Sequence, residues 1–304
     1  MPIITSANLA SAIVKLVAAD ALPTLMGNLV MGNLVTRDYD TTLAKAGDTV
    51  NVPIPPTLIA NNILEGGSVQ TQNPDLGNAP IVLDSHIEAT FQIPDVTKAI
   101  AVPTLLKMYM QPAMVALAER VETDLLTLYS QFTTNAPLGV GGTALTEGVV
   151  DQAETELFSA KVPTSEPKYM VVHPSAYSEL RMIDRFTEAD KVGPLSQAID
   201  TGVLGRIKDF FVYRSQFVVQ TGIGTGTVTT NNLAFSRDAM ALAIRRLPKP
   251  LPGTGAIAEY AELGNFGMRV VMSYQPNTLA QQFTVDILYG CAVLRNEHGI
   301  QVRS

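Results

Sequence analysis

LAFSRDAMALAIRRLPKPLPG, residues 233–253, holds two short apolar runs and then stops abruptly. Leu233, Ala234 and Phe235 begin as a buried strand begins. A second run, Ala239 to Ile244, ends in Arg245 and Arg246. Pro248, Pro250 and Pro252 follow, and proline removes the backbone donors that regular structure needs. The stretch contains no nucleophile–base pair, no set of metal ligands and no phosphate-binding loop. Nothing in it points to a reaction centre.

This block resembles the segment near the C-terminal third of tailed-phage major capsid proteins, where the chain leaves the outer lobe of the subunit and returns to its base. Other pieces resemble the same proteins, in the same order. They are Val171-Val172-His173-Pro174-Ser175-Ala176-Tyr177, Leu180-Arg181, Gly202 to Ile207, Phe210 to Ser215, Gly267-Met268-Arg269-Val270 and Asp286 to Gly290. The matching parts run from about Leu34 to the C-terminus. The resemblance implies an α+β chain with the Hong Kong 97 phage-type major capsid fold, in the branch of short-tailed phages. It implies an N-terminal arm (1–44), an extended loop (E-loop) β-hairpin (45–97) and a peripheral domain with a long spine helix (98–147). An axial α/β domain (148–245) and a return to peripheral strands (246–304) complete it. The chain shows no segment to spare for the inserted domain that some relatives carry.

The bulk properties agree. Hydrophobic residues make up 46% of the 304 and charged residues 16%. Such a chain can bury a core and still present neutral surface to copies of itself. An ordinary low-charge globular protein has the same composition. The net charge of −7 argues against a sequence-reading nucleic-acid protein, which carries a basic face. It does not argue against a container that holds DNA by confinement. The single cysteine, Cys291, lies in an apolar run and excludes an internal disulfide. A buried free thiol suits a reducing cytoplasm. No stretch approaches the roughly 18 apolar residues of a membrane span.

Near the N-terminus, Ala7 to Ala19 reads as an amphipathic helix capped by Ser6. A tandem repeat follows, Met26-Gly27-Asn28-Leu29-Val30 and Met31-Gly32-Asn33-Leu34-Val35. Its Gly-Asn pairs suit turns in an arm that lies on neighbouring surface, or a chance duplication in a loop. Between Lys45 and Lys98 there is no lysine or arginine. Residues 1–97 hold 3 basic and 9 acidic residues, and residues 98–304 hold 18 and 19. Alternating runs at Thr49–Ile54 and Ile81–Ile93 predict two strands of a hairpin around a turn-rich tip. Such a hairpin needs a partner surface. In the capsid family the matching element lies over a neighbouring subunit. Some relatives join a loop lysine covalently to a neighbour's asparagine; this loop has no lysine, so no such crosslink is expected through it.

Met114, Leu117, Ala118, Val121, Leu125, Leu128 and Phe132 recur at spacings of three and four and predict a long helix over 103–133. Pro112 either starts its straight section or kinks it. A loop is expected at 134–147 and a helix at 149–161. A strand at 168–172, a helix from Pro174 or Ser175 to Met182, and strands at 210–213 and 217–219 follow. Residues 222–232 read as a loop, and 268–274 and 283–294 as long apolar strands packing against the helix.

No histidine has a second ligand at metal spacing. His86 stands between Asp84 and Glu88 at alternate positions, which makes either a weak pH sensor or an exposed polar strand face. His173-Pro174-Ser175 invites a hydrolase reading, but no Gly-x-Ser-x-Gly elbow exists. His173 then ends a strand and Ser175 caps the next helix. Gly222 to Gly226 lacks dinucleotide-loop spacing.

The reading is therefore a major capsid protein that forms pentamers and hexamers and closes an icosahedral shell around double-stranded DNA. It is not an enzyme and needs no cofactor or metal. The expected inter-subunit contacts are Asp48, Glu65, Gly66, Gly67, Asp75, Asp84 and Glu88 of the acidic loop, facing Arg245 and Arg246 of a neighbour. The two arginines, with Lys249 of the proline run, also read as genome-facing or as solvated helix-end cations. The expected partners are other copies, a scaffolding protein, a portal protein, a cement or decoration protein and packaged DNA, with no membrane. The expected location is the virion, after assembly in the host bacterial cytoplasm. An encapsulin-like nanocompartment shell is the alternative, and a soluble hydrolase using His173 a distant one.

Overall fold

The alternating and helical periodicities above resolve into two large sheets, a separate two-stranded sheet and one long helix in a computed structural model. It describes residues 29–39, 49–54, 58–63, 66–73, 77–183, 205–224, 226–245, 247–251, 255–263 and 266–304. The expected helix at Ala7–Ala19 and the first half of the tandem repeat, to Asn28, lie outside these residues.

A one-turn helix, α1 (Met31–Leu34), is followed by strands β1 (Thr49–Ile54), β2 (Gly77–Val82) and β3 (Ser85–Pro94). Helix α2 (Asp95–Thr127) is the spine, 33 residues and about 50 Å long at 1.5 Å per residue. It starts eight residues before the expected Pro103, at Pro94 as N-cap, and continues through Pro112 as an interior residue. Then come α3 (Glu147–Ser159), β4 (Lys168–Val172), α4 (Pro174–Arg181), β5 (Arg206–Ile207), β6 (Phe210–Arg214), β7 (Gln220–Thr221), β8 (Thr229–Ser236) and β9 (Met240–Arg245). Strands β10 (Ile257–Leu263), β11 (Phe266–Gln275), β12 (Ala280–Val293) and β13 (Gly299–Arg303) complete the order.

Strands β10-β11-β12-β3 form one sheet, with β9 added beside the far end of β12. All its pairings are antiparallel. One face packs on α2. Met114, Leu117, Val121 and Leu125 of the helix share a core with Val270, Phe283, Val285, Ile287 and Tyr289. The second sheet has the order β13-β8-β4-β6-β5, with β7 beside β8. Its β4–β6 pair is parallel and the others antiparallel. Helices α3 and α4 cover one face, where Val150, Leu157, Ala176 and Leu180 meet Met170, Phe210 and Ala234.

The hairpin differs from its sequence reading. The expected single strand Ile81–Ile93 is two strands in different sheets. β2 pairs with β1, whereas β3 pairs with β12. The break at Leu83 and Asp84 lets the chain cross from one layer to the other. Val52, Ala79 and Ile81 of the hairpin base pack on Ala241, Ala243 and Leu288, on the sheet face opposite the helix. Two of those three sheet residues are alanines, and at Gly290 a Cβ would stand 2.0 Å from the Val82 carbonyl oxygen.

Other expectations are corrected locally. Phe217–Val219 is a turn, because Ser215 and Asn231 take its backbone bonds; the Phe217 N–H donates to Ser215 Oγ at 3.3 Å. The loop after Gly222 is shorter than expected, since β8 begins at Thr229. The second half of the tandem repeat does not lie on neighbouring surface: Met31, Leu34 and Val35 are core residues of their own subunit. Arg245 ends a strand rather than a helix, so the helix-end reading fails for it. Cys291 is free and only half-buried, and burial pushes its thiol up to about 11.

Candidate inter-subunit surface

Two regions stand out as candidate contact surface. The first is the loop beyond the β1–β2 ladder. The ladder ends at Ile54 and Gly77. The arms 58–63 and 66–73 beyond it form no strand, although both are exposed throughout. Gln72 holds them together by side chain alone: the Ile59 N–H donates to Gln72 Oε1 at 3.0 Å, and the Gln72 amide donates back to the Ile59 carbonyl. That pair imitates one rung of a ladder. Leu58, Ile59, Ile63 and Val69 are 67, 72, 58 and 76% exposed on these arms. Apolar side chains so placed are costly in water and make this a candidate contact surface. Gly66 has φ +83°, in the region that favours glycine, and has open space around it. Gly67 lines a shallow concavity beside it with Asn61, Asn62 and Ser68.

The second region is the sheet face opposite the spine helix, beyond the hairpin base. Here Arg245, Leu288 and His86 stand in one rung, and Arg269, Asp286 and Glu88 in another. Asp286 is buried, 3% exposed, and carries this face. Arg269 Nε donates to its Oδ1 at 3.0 Å, and Arg269 Nη2 donates to Oδ2. His86 Nε2 lies 3.2 Å from Oδ2. The partner of His86 is thus a cross-strand aspartate, not the Asp84 and Glu88 beside it in sequence. Arg269 Nη1 also donates to the Pro248 carbonyl and ties the proline-rich segment to the sheet.

The structure brings Glu88 and Arg245 onto this one face and leaves the loop-tip glycines apart from it. Glu88 is exposed and accepts from the Thr90 hydroxyl. Asp84 is exposed at the strand break and accepts from Ser85 Oγ at 3.0 Å. Asp48, Glu65, Asp75 and Arg246 lie outside the described residues. Lys249 is engaged within the subunit, 2.9 Å from Glu259 Oε2 and over the Tyr260 ring. Sequence reasoning missed Asp286 and Arg269; the signal was a lone carboxylate inside the apolar run 283–294. It also missed Gln72, for which an exposed glutamine gives none.

His173 serves as a helix cap. Its ring accepts from the Ser175 N–H at 3.3 Å, so His173 itself caps α4 and Ser175 does not. Ser175 Oγ is 2.8 Å from Nδ1, and burial lowers the imidazole pKa. Among the described residues no carboxylate hydrogen-bonds the ring, as an acylating triad would need. No group of three metal-capable side chains and no helix long and apolar enough to cross a membrane occurs among them.

No protein-family model and no curated protein sequence matches the chain. Solved structures do match in fold. A chain of Mycobacterium phage Che8 is similar over 90% of each chain, with TM-score 0.63 and 17% identity. The capsid of a native GTA particle is similar over 100% of this chain and 92% of that one, with TM-score 0.58 and 11% identity. The capsid of the cyanophage P-SCSP1u is similar over 85% and 84%, with TM-score 0.55 and 16% identity. The chain therefore has the α+β, Hong Kong 97 phage-type capsid fold.

Proposed function

We propose that this chain is the major capsid protein of a tailed bacteriophage, assembling as pentamers and hexamers into an icosahedral head around double-stranded DNA. The observation that carries the reading is the likeness in fold to capsid structures, over 85% of the chain for a cyanophage and 100% for a GTA particle. A loop with four exposed aliphatic side chains and no ladder of its own needs a second surface. In a shell, another copy supplies it at every position, and many weak contacts act together.

On this reading the acidic loop, including Asp48, Glu65, Gly66, Gly67 and Asp75, lies on a neighbouring copy. Arg245 and Arg246 form the receiving rim, and Asp84 and Glu88, at the root of the acidic loop, are the remaining contact candidates. A scaffolding protein, a portal protein and a cement protein are the further partners, and the protein acts as structure rather than as an enzyme. Its place is the virion, after assembly in the bacterial cytoplasm. Electron microscopy of the chain expressed alone and with its neighbouring genes tests this. Closed angular shells or ring capsomers support it, and packaged DNA selects it over a nanocompartment holding enzyme cargo. A stable monomer under both conditions rejects it.

A further inference from the structure

Glu122 lies in the apolar stripe of α2 and is 1% exposed. No hydrogen bond to a lysine, arginine or histidine meets it among the described residues; its bonds are to neutral donors. The Met31 N–H reaches both carboxyl oxygens, at 3.1 and 3.0 Å. The Val30 N–H contributes as well, and Ser215 Oγ stands 3.5 Å from Oε1, a long contact. The backbone donors come from segment 29–35, whose Leu29, Met31, Leu34 and Val35 are buried in the core shared with α2. Docking this segment thus closes a lid over an acid.

We propose that segment 29–35 is a proton-coupled latch: its docking on the spine helix buries the Glu122 carboxyl, so docking takes up a proton, and raising the pH loosens the dock.

The segment itself brings no titratable group. On α2, Glu119 lies one turn away, and Arg120 is 3.3 Å from Asp124 in an ion pair along the helix. Beside Ser215, Arg214 lies over the Tyr177 ring, 5.8 Å from its centre, rather than against the acid. Burial is the largest influence on Glu122 and pushes it up to about 7, against the opposing pull of its N–H donors. The sign follows from linkage. The docked state holds the proton more tightly than the undocked one, whose carboxyl returns towards 4.5. Docking is therefore tightest below that value and weakens as the pH rises through about 7, above which it levels off.

Amide hydrogen exchange on the full chain in its assembled form, corrected for intrinsic rates, reads the latch directly. Protection of a peptide spanning 29–36 falls by at least roughly tenfold between about pH 5 and about pH 7.5. In Glu122→Gln, which keeps the shape and one acceptor, it changes by less than about twofold over the same range. Glu119→Gln, on the same helix, keeps the wild-type dependence. Wild-type protection that stays constant with pH overturns the proposal, as does a Glu122→Gln slope equal to wild type. If that variant does not fold, the wild-type titration alone decides.

Discussion

Lys168 is 2% exposed, and its ammonium hydrogen-bonds Asp209, which Arg206 Nη2 also meets at 2.7 Å. A buried ammonium tolerates this position only while its carboxylate is present. Asp209→Ala is expected to cost about 3 kcal/mol in chemical unfolding, chiefly by stranding Lys168. The Lys168 bond, helped by Arg206, holds the Asp209 carboxyl below its usual 3.8 despite some burial. The pair's stabilisation is thus present above that value and lost on acidification below it, so the variant and wild type converge in acid. At Leu279 the backbone is left-handed, φ +47°, and the side chain is 62% exposed. Leu279→Gly is expected to gain about 1 kcal/mol, because strain is relieved and little burial is lost; a lower melting temperature contradicts this. The sequence carried the signals for buried charge but not their partners. Glu122 sits four residues after Ala118 and three before Leu125, inside the stripe that defined the helix. Only the fold shows that backbone N–H groups from about ninety residues away meet it.

At the scale of elements, periodicity located the spine helix, β4, α4, β11 and β12, because each has one apolar face or is apolar throughout. It failed at the hairpin. Ile81 to Ile93 alternates except at Val82 and Ser85, and those two breaks flank the step from β2 to β3; they are too slight to show that two different surfaces claim the two halves. Gly290 makes this layering possible, with Val82 seated directly on it. Gly290→Ala pushes β2 off the sheet and is expected to cost about 2 kcal/mol as an overpacked contact, read as a lower unfolding midpoint. An unchanged midpoint means the hairpin base shifts freely, and the seat does not fix its position.

At the scale of the whole molecule, the fold was legible through ordered resemblance spread along the chain, since no single motif specifies it. The contact surface was legible only in part. The lysine-free loop and its acidity are composition; the exposed aliphatics at its tip, and the Arg269–Asp286–His86 cluster on the open sheet face, depend on which strands pair. Because residues 46–97 contain no lysine, mature shells are expected to run on a denaturing gel as monomers, and a ladder of covalent multimers would contradict this. The most direct test of the shell account is a cryo-electron-microscopy reconstruction of particles formed by this chain. The account predicts fivefold and sixfold rings in which Leu58, Ile59, Ile63 and Val69 of each copy are buried against an adjacent copy. Particles that fail to form, or rings in which this loop tip stays in solvent, would contradict it.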